Sequence, residues 1–352
     1  MKIAIAGAGI AGAYLARILT EKGIFPDVYD DMSHDTSCGY RSCGWGAPLG
    51  IGKYLGDVGL DMDDYLLETM SPMNFDGLMA RTPLCTINKP RLIRDLHAGL
   101  DLQKKNLELE DADTYDIVID ATGISRSLLP PCRSDLILPT LQYRVKVEAD
   151  GDDRLEAGVH GNRIPGLGYV WIFPLDKRQC HIGIGCLGLV QMEELLQEFY
   201  HEMSERFTFT LLCSCRGAVR VASPFYSTPF SVSREKNDGR PQIVVGVGES
   251  IGTVSPFTGE GIVYSLECAR ILANSWPDFD GYLRRVLSRF SWMKKERETI
   301  DFLLSQDGRG RPRLRDRWRF YRNAHRSGIR LPMVEAFRRM GSLSMWVEGP
   351  DT

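Results

Sequence analysis

Two glycine-rich stretches, far apart in the chain, constrain its fold more than any other feature. The first, Gly7-Ala8-Gly9-Ile10-Ala11-Gly12, follows an apolar run at residues 2–6. It calls for a strand, a tight turn and a helix at 11–22 ended by Gly23, then a strand at 26–29 with Asp30 and Asp31 at its tip. That is the setting in which such glycines bind a dinucleotide: Gly7 permits the turn, Gly9 lets backbone approach a pyrophosphate, and Gly12 allows close helix–strand packing. Ala11 lies in the first helical turn, whose amides face the phosphates, and Asp30 is placed to accept from ribose hydroxyls. The second stretch runs from Val245 through Gly246-Val247-Gly248-Glu249 to Pro256-Phe257-Thr258-Gly259-Glu260-Gly261-Ile262. It reads as a strand at 242–247 that returns to the cofactor sheet, a bend at Pro256 and a helix at 259–270. Gly259 and Gly261, with Ile262 after them, let that helix's first amides lie against a ligand edge where negative charge develops. A nicotinamide site needs no such return segment, so the expected dinucleotide is FAD.

Bulk properties narrow the classes further. The 352 residues, 43% hydrophobic and 25% charged, suit an ordinary globular protein of two or three units. A net charge of -3 gives no reason to expect a nucleic-acid partner. No apolar run is long enough to span a membrane, and the N-terminus reads as strand rather than signal peptide. Nine scattered cysteines do not form a secreted disulfide framework. The expected compartment is the reducing cytoplasm, with peripheral contact on the inner membrane face left open.

Further along, 84–88 and 115–120 read as short strands, the latter ending in Asp120-Ala121-Thr122-Gly123, a small-residue turn that can pass close to a cofactor at Ala121 and Gly123. Between them 90–98 is a short helix carrying Arg91 and Arg94. From 138 to 188 the period drops to about two, as strands require: 141–147, 168–173 and 180–186, the last two joined by a hairpin at 176–179. A helix at 192–203 and strands at 217–222 and 225–232 follow. Residues from about 280 onward read as helical, interrupted by a Gly/Pro/Arg stretch at 308–312. The expected fold is therefore α/β: a Rossmann-like FAD-binding domain (1–50, 84–137 and 240–275), an inserted, mostly antiparallel β substrate domain (51–83 and 138–239), and a helical C-terminal region (276–352).

Taken together, the Gly7–Gly12 segment with Asp30, Asp120-Ala121-Thr122-Gly123 and the 248–262 segment resemble the FAD-binding segments of the para-hydroxybenzoate hydroxylase-like flavoprotein superfamily. Within it, Gly168-Tyr169-Val170-Trp171-Ile172-Phe173-Pro174 is similar to the Tyr-x-Trp-x-Phe-Pro signature of the geranylgeranyl reductase family, as is Pro256-Phe257-Thr258-Gly259-Glu260-Gly261-Ile262. The resemblance covers about residues 1–275 and points to the archaeal digeranylgeranylglycerophospholipid reductase type. It implies reduction of isolated double bonds in isoprenoid chains of membrane ether lipids. It also implies that Arg91 contacts FAD, that Cys43 in a Cys-Gly turn lies near flavin and substrate, and that Trp45, Tyr169, Trp171, Phe173 and Phe257 line the lipid side. The chain departs from the pattern at Glu249, where the family has Asp, and at Cys43-Gly44-Trp45-Gly46, where Trp45 replaces an acid.

Plainer readings stand beside these. Tyr169 and Trp171, two apart, share one face of a strand and Val170 and Ile172 the other, as core packing alone would also give. Cys43 suits catalysis or substrate positioning, structural packing, or a redox pair with Cys38. Glu260 reads first as a helix-capping acid and second as a catalytic group. Cys213-Ser214-Cys215 lacks the ligands of a zinc site, and the six histidines, from His34 to His325, have no metal-ligand spacing. Residues 309–330 hold nine arginines against one acid, Asp316. They suit a solvated tail, or docking on anionic headgroups or a phosphorylated substrate, with nucleic acid as the weakest option. Arg311, Arg313, Arg315, Arg317 and Arg319 alternate, so no clean amphipathic anchor is expected. Alkene reduction requires hydride from reduced flavin and a proton from an acid, for which Cys43 and then Tyr169 are the candidates. The alternatives are a hydroxylase of the same fold and a non-catalytic electron-transfer flavoprotein; the Trp-x-Trp-x-Ile-Pro pattern of tryptophan halogenases fits less well. The reductant is open among NAD(P)H, ferredoxin and a deazaflavin, since the one dinucleotide fingerprint is taken by FAD.

Overall fold

The computed structural model describes residues 1–33, 43–148, 155–164, 167–187, 191–305, 313–334 and 336–337. The expectations placed on His34, Cys38 and the 308–312 stretch, with Arg309 and Arg311, lie outside these residues.

The first part of the chain runs β1 (Ile3–Ala6), α1 (Ile10–Glu21), β2 (Asp27–Tyr29), β3 (Gly46–Pro48), α2 (Gly52–Gly56), β4 (Leu66–Thr69), β5 (Met73–Phe75), β6 (Leu78–Ala80) and β7 (Leu84–Ile87). It continues through α3 (Lys89–His97), β8 (Leu102–Gln103), α4 (Leu109–Ala112) and β9 (Ile117–Asp120). The middle holds β10 (Ile137–Glu148), β11 (Gly158–His160), β12 (Leu167–Pro174), β13 (Gln179–Leu187), α5 (Met192–Ser204) and β14 (Thr208–Arg220). Last come β15 (Ser231–Glu235), β16 (Pro241–Gly246), α6 (Ile262–Ser275), α7 (Phe279–Arg289), α8 (Ser291–Leu304) and α9 (Leu314–Arg326).

A six-stranded sheet carries the order β15-β16-β9-β1-β2-β8. β1, β2, β8, β9 and β16 run parallel, and β15 is antiparallel at the edge. Ile-Ala-Ile-Ala of β1 and Ile-Val-Ile-Asp of β9 are buried throughout, as central strands covered on both faces must be. The return of β16 beside β9 is the one expected for the second glycine stretch, and α1 packs on α6 above the sheet. β15, expected with the inserted part of the chain, joins this sheet instead. β7 pairs with β3 and β4 in a separate three-stranded sheet.

The other large sheet has the order β14-β10-β13-β12-β11-β5-β6 and is antiparallel except where β11 meets β5. Its period-two pattern divides two environments. Leu141, Tyr143, Val145, Val170, Ile172, Ile182 and Ile184 form a core under Leu196 and Phe199 of α5. Tyr169, Trp171 and Phe173 turn to the opposite face, where Trp171 and Phe173 meet Gly44, Gly46, Gly183 and Gly185. β14 is longer than the sequence suggested: residues 208–216 are exposed or half-exposed on both faces and so lack the alternation that marks a half-buried strand.

The C-terminal helices close one side. α9 has two distinct faces: Asp316 and Asn323 are buried, and Phe320 stacks on Phe257 at 3.8 Å between ring centroids. Leu314 and Trp318 on the opposite face are exposed. The helix begins at Leu314, after Arg311 and Arg313, and carries apolar residues on both its buried and its exposed side. No helix among the described residues is long and apolar enough to cross a membrane.

Candidate active site

At the N-terminal glycines the backbone leaves no room except where a ligand belongs. A Cβ on Gly7 (φ +95°) would lie 2.4 Å from the Ala121 carbonyl oxygen, and one on Gly12 only 1.9 Å from the Gly7 oxygen. A Cβ on Gly9 would meet nothing within 4 Å. α1 has Gly9 as its N-cap, no side-chain cap and no acid in its first turn, so its first amides keep donor capacity for an anion. Asp30 is buried beside them; its Oδ2 accepts from the Ala8 amide at 2.6 Å and its Oδ1 from Met32 at 2.8 Å. His97 Nε2 lies 2.7 Å from the Ala8 oxygen and braces the same loop from α3. This open cradle, with uncapped amides and an acid beside it, fits the pyrophosphate and ribose of a dinucleotide.

The turn after β9 is held from within. Asp120 accepts from the Thr122 amide and hydroxyl through one oxygen and from the Leu128 and Leu129 amides through the other. Ala121 presents its carbonyl to Gly7, and Gly123 takes φ +61° with Glu249 close by. Arg126, which sequence reasoning missed, is buried and donates to the carbonyls of Pro130, Ser250, Ser227 and Pro229 at 2.6 to 2.9 Å. Three chain segments thus meet on one guanidinium.

Glu249 uses its extra methylene to reach the Arg220 amide, 2.8 Å away. Burial raises its pKa, partly offset by that amide and by the charge of Lys89. Lys89 opens α3, and it rather than Arg91 acts on Glu249. Arg91 binds Asp64 through its carbonyl at 2.7 Å and its carboxylate at 3.2 Å, pairs with Asp95, and lies over the Tyr65 ring. Arg91 is thus engaged by Asp64, Asp95 and Tyr65 at the head of α3.

The second glycine stretch meets the aromatic face of the large sheet. Tyr169 donates to the Thr258 carbonyl, and its hydroxyl lies 3.6 Å from where a Gly259 Cβ would stand. Burial holds the phenol far above its ordinary pKa, and the nearby Glu260 and Cys43 reinforce the shift. Cys43, Tyr169 and Glu260, widely separated in sequence, are thus electrostatic neighbours. Trp171 is buried with its ring over Gly183, where a Cβ would fall 2.2 Å from the indole, and its Nε1 donates to Gln142 at 3.2 Å. Phe173 lies on Gly44, whose Cβ would come within 2.5 Å of the ring. Trp45 takes a positive φ of 57° and is buried edge-on to His181, 4.7 Å between centroids. Burial pushes the His181 imidazole down to about 3, so it stays neutral. Trp45 and Trp171 are therefore packed side chains that shape the wall, while Tyr169, Phe173 and Phe257 keep part of their surface open.

Glu260 is not a helix cap. α6 begins at Ile262 with Gly261 as its N-cap, no side-chain cap and no acid in its first turn, which leaves the helix's leading amides uncapped. The Glu260 carboxyl instead meets the Ser327 hydroxyl at 3.4 Å, and burial raises it to about 7. Beside it Glu296 accepts from Ser255 at 2.9 Å, faces Arg326 at 4.0 Å, and is raised by burial to about 8. Glu296, Arg326 and Ser327 come from the C-terminal helices, in which the sequence showed no motif. No group of three His, Cys, Asp or Glu side chains among the described residues could hold a metal.

This acid pair sets a pH dependence. Both carboxyls shift from 4.5 up to about 7 and 8, so between those limits the folded protein binds more protons than the unfolded chain. Stability is then expected to fall as pH rises through that window, by up to about 1.4 kcal/mol per pH unit for each group. Urea unfolding from pH 5 to 8 measures the slope, and Glu296→Gln should flatten it. An unchanged slope would refute a buried protonated acid.

Among solved structures, the chain is similar to a geranylgeranyl bacteriochlorophyll reductase-like protein of Thermoplasma acidophilum. The TM-score is 0.62 at 17% identity, over 84% of this chain and 83% of that one. A tryptophan 5-halogenase, a flavin-dependent brominase and a probable FAD-dependent monooxygenase share the fold at 13% to 16% identity. These likenesses show the fold, a Rossmann-like FAD-binding core with an inserted β-sheet of the para-hydroxybenzoate hydroxylase-like type. No protein-family model matches the sequence. An uncharacterized protein of Methanocaldococcus jannaschii is 25% identical over 353 residues, 85% of this chain and 91% of the relative. Digeranylgeranylglycerophospholipid reductase 1 of Methanopyrus kandleri is 29% identical over 196 residues, 53% of this chain and 50% of the reductase. The match to the named reductase thus spans about half its length.

Proposed function

We propose that this chain is an FAD-dependent reductase of isolated carbon–carbon double bonds in isoprenoid chains, acting on geranylgeranylated membrane lipids. The observation that carries this reading is the convergence of Cys43, Tyr169 and Glu260 where the 257–261 loop meets the aromatic sheet face. The names of the relatives support the same substrate class.

In this reading Gly9 and the first amides of α1 would hold the pyrophosphate and Asp30 the ribose, and Gly259, Gly261 and the start of α6 would serve the flavin. When bound and reduced, FAD supplies hydride to one alkene carbon. The chain supplies the rest. Tyr169 is kept fully protonated by burial, so it is a proton donor and not a base. Glu260, raised to about 7, holds a proton it can return to the phenol. Cys43 lies on the substrate side of the same cluster. Phe173 and Phe257, backed by Trp171 and Trp45, provide an apolar wall that excludes water and receives a hydrocarbon chain.

The test is an anaerobic single turnover. FAD-loaded protein is reduced chemically and mixed with a geranylgeranylated ether phospholipid, and flavin reoxidation is followed together with a product mass gain of two hydrogens per bond. Tyr169→Phe is expected to slow reoxidation about 100-fold at unchanged flavin content, and Cys43→Ala to slow it less. Full turnover in both variants would remove their assignment. A flavin that stays reduced until oxygen and an aromatic substrate are added would replace the reductase with a hydroxylase.

A further inference from the structure

α9 has one side on the site and another that stays partly exposed among the described residues. On the inner side Phe320 stacks on Phe257, Arg326 faces Glu296 and Ser327 bonds Glu260. On the outer side Leu314, Trp318 and Tyr321 follow helical spacing and form one stripe. Leu314 is 73% exposed and Trp318 46%; Trp318 stacks on Tyr321, and Phe337 packs against both rings. Met333 and Val334, just before Phe337, are 50% and 78% exposed. Four large apolar side chains are thus presented within a short stretch of chain. Isolated exposed apolar residues are ordinary, but such a cluster marks a contact surface.

The charge around this stripe is one-sided. Residues 313–330 hold seven arginines and one acid, Asp316, which is buried and pairs with Arg315 at 3.5 Å and Arg319 at 3.7 Å, so the arginines stay in large excess. Arg315 and Arg322 flank the stripe at helical spacing and are exposed. Aromatic and aliphatic tips between guanidinium groups match the boundary of a bilayer, where rings sit at headgroup depth and arginines pair with phosphates. An acidic protein would satisfy the arginines but would give Leu314, Met333 and Val334 no hydrocarbon to enter.

We propose that the outer face of α9, with Met333 and Val334, docks this chain on an anionic lipid bilayer and brings the site to the membrane surface. The proposal rests on the reading of the substrate as a membrane lipid. It adds where that lipid arrives: behind one helix, about 10 Å across, lie Phe257 and the Glu260 loop.

The full chain is tested by co-sedimentation with phosphatidylcholine vesicles, with and without a third of the lipid as phosphatidylglycerol. Binding is expected to the anionic vesicles only, and to weaken as salt is raised. Arg315→Gln with Arg322→Gln should weaken it about 30-fold. Leu314→Glu with Val334→Glu, both at exposed positions, should abolish it, with circular dichroism and flavin content unchanged. Equal binding to neutral vesicles, wild-type binding by both double variants, or capture by an acidic ferredoxin in place of vesicles would overturn the proposal. Reduction of a detergent-dispersed prenyl lipid by a chain that ignores vesicles would leave the reductase reading intact and remove only the docking. Vesicle binding without alkene reduction would do the reverse.

Discussion

Gly9→Val is expected to yield a folded protein that no longer holds flavin, whereas Gly12→Ala is expected to damage the fold itself. The contrast follows from what each missing Cβ faces. At Gly9 there is open space for 4 Å, so added methyl groups enter only the volume a pyrophosphate would occupy. At Gly12 the new carbon would lie 1.9 Å from a backbone oxygen and 3.0 Å from the Ala121 Cβ, and neither can swing aside. Overpacking of this kind costs about 3 kcal/mol or more when backbone must move. Loss of the phosphate contacts should weaken FAD by at least about 100-fold. Flavin titration and urea unfolding on both variants separate the effects. A Gly9→Val protein that binds FAD normally would refute the cradle.

Arg126→Met is expected to cost about 3 to 5 kcal/mol, the scale for removing one partner from a buried charged network. Its guanidinium serves four carbonyls from the segments around 130, 227–229 and 250, and methionine of similar length satisfies none of them. Burial lowers the Arg126 pKa, partly opposed by Cys132, Asp120 and Asp135 nearby, and a guanidinium stays charged in proteins. The loss should appear as a lower urea midpoint with an unchanged slope, because the folded and unfolded states keep their size. A loss under 1 kcal/mol would mean that water replaces the guanidinium at those carbonyls.

What the sequence disclosed and what it hid divide along a physical line. Gly7, Gly9 and Gly12 were legible because a missing side chain constrains backbone locally, and the alternation in 169–173 because strand period is local too. Three other features were not local. Glu260 read as a cap because the helix was expected at 259; it starts at Ile262, and the carboxyl is left to the Ser327 hydroxyl. Arg91 and Lys89 are two residues apart at the head of one short helix, and only the packing of α3 decides which one approaches Glu249. Arg126 was invisible because its partners are backbone carbonyls, which carry no sequence signature. The amphipathic character of α9 was masked by arginine alternation, although Asp316, Phe320 and Asn323 at helical spacing mark its inner face. Glu296 and Arg326 belong to the site only through that packing.

The order of strands in the six-stranded sheet also shapes how the chain is made. β9 has β1 on one side and β16 on the other, yet β16 starts at Pro241. A ribosome adding about 5–20 residues per second needs roughly 6 to 24 seconds to pass from Asp120 to Pro241. During that interval the nascent sheet carries an open edge of Ile117, Val118 and Ile119, the kind of edge that pairs with other chains. Cells making this protein would then gain from a chaperone that shields the early half until its last strands emerge.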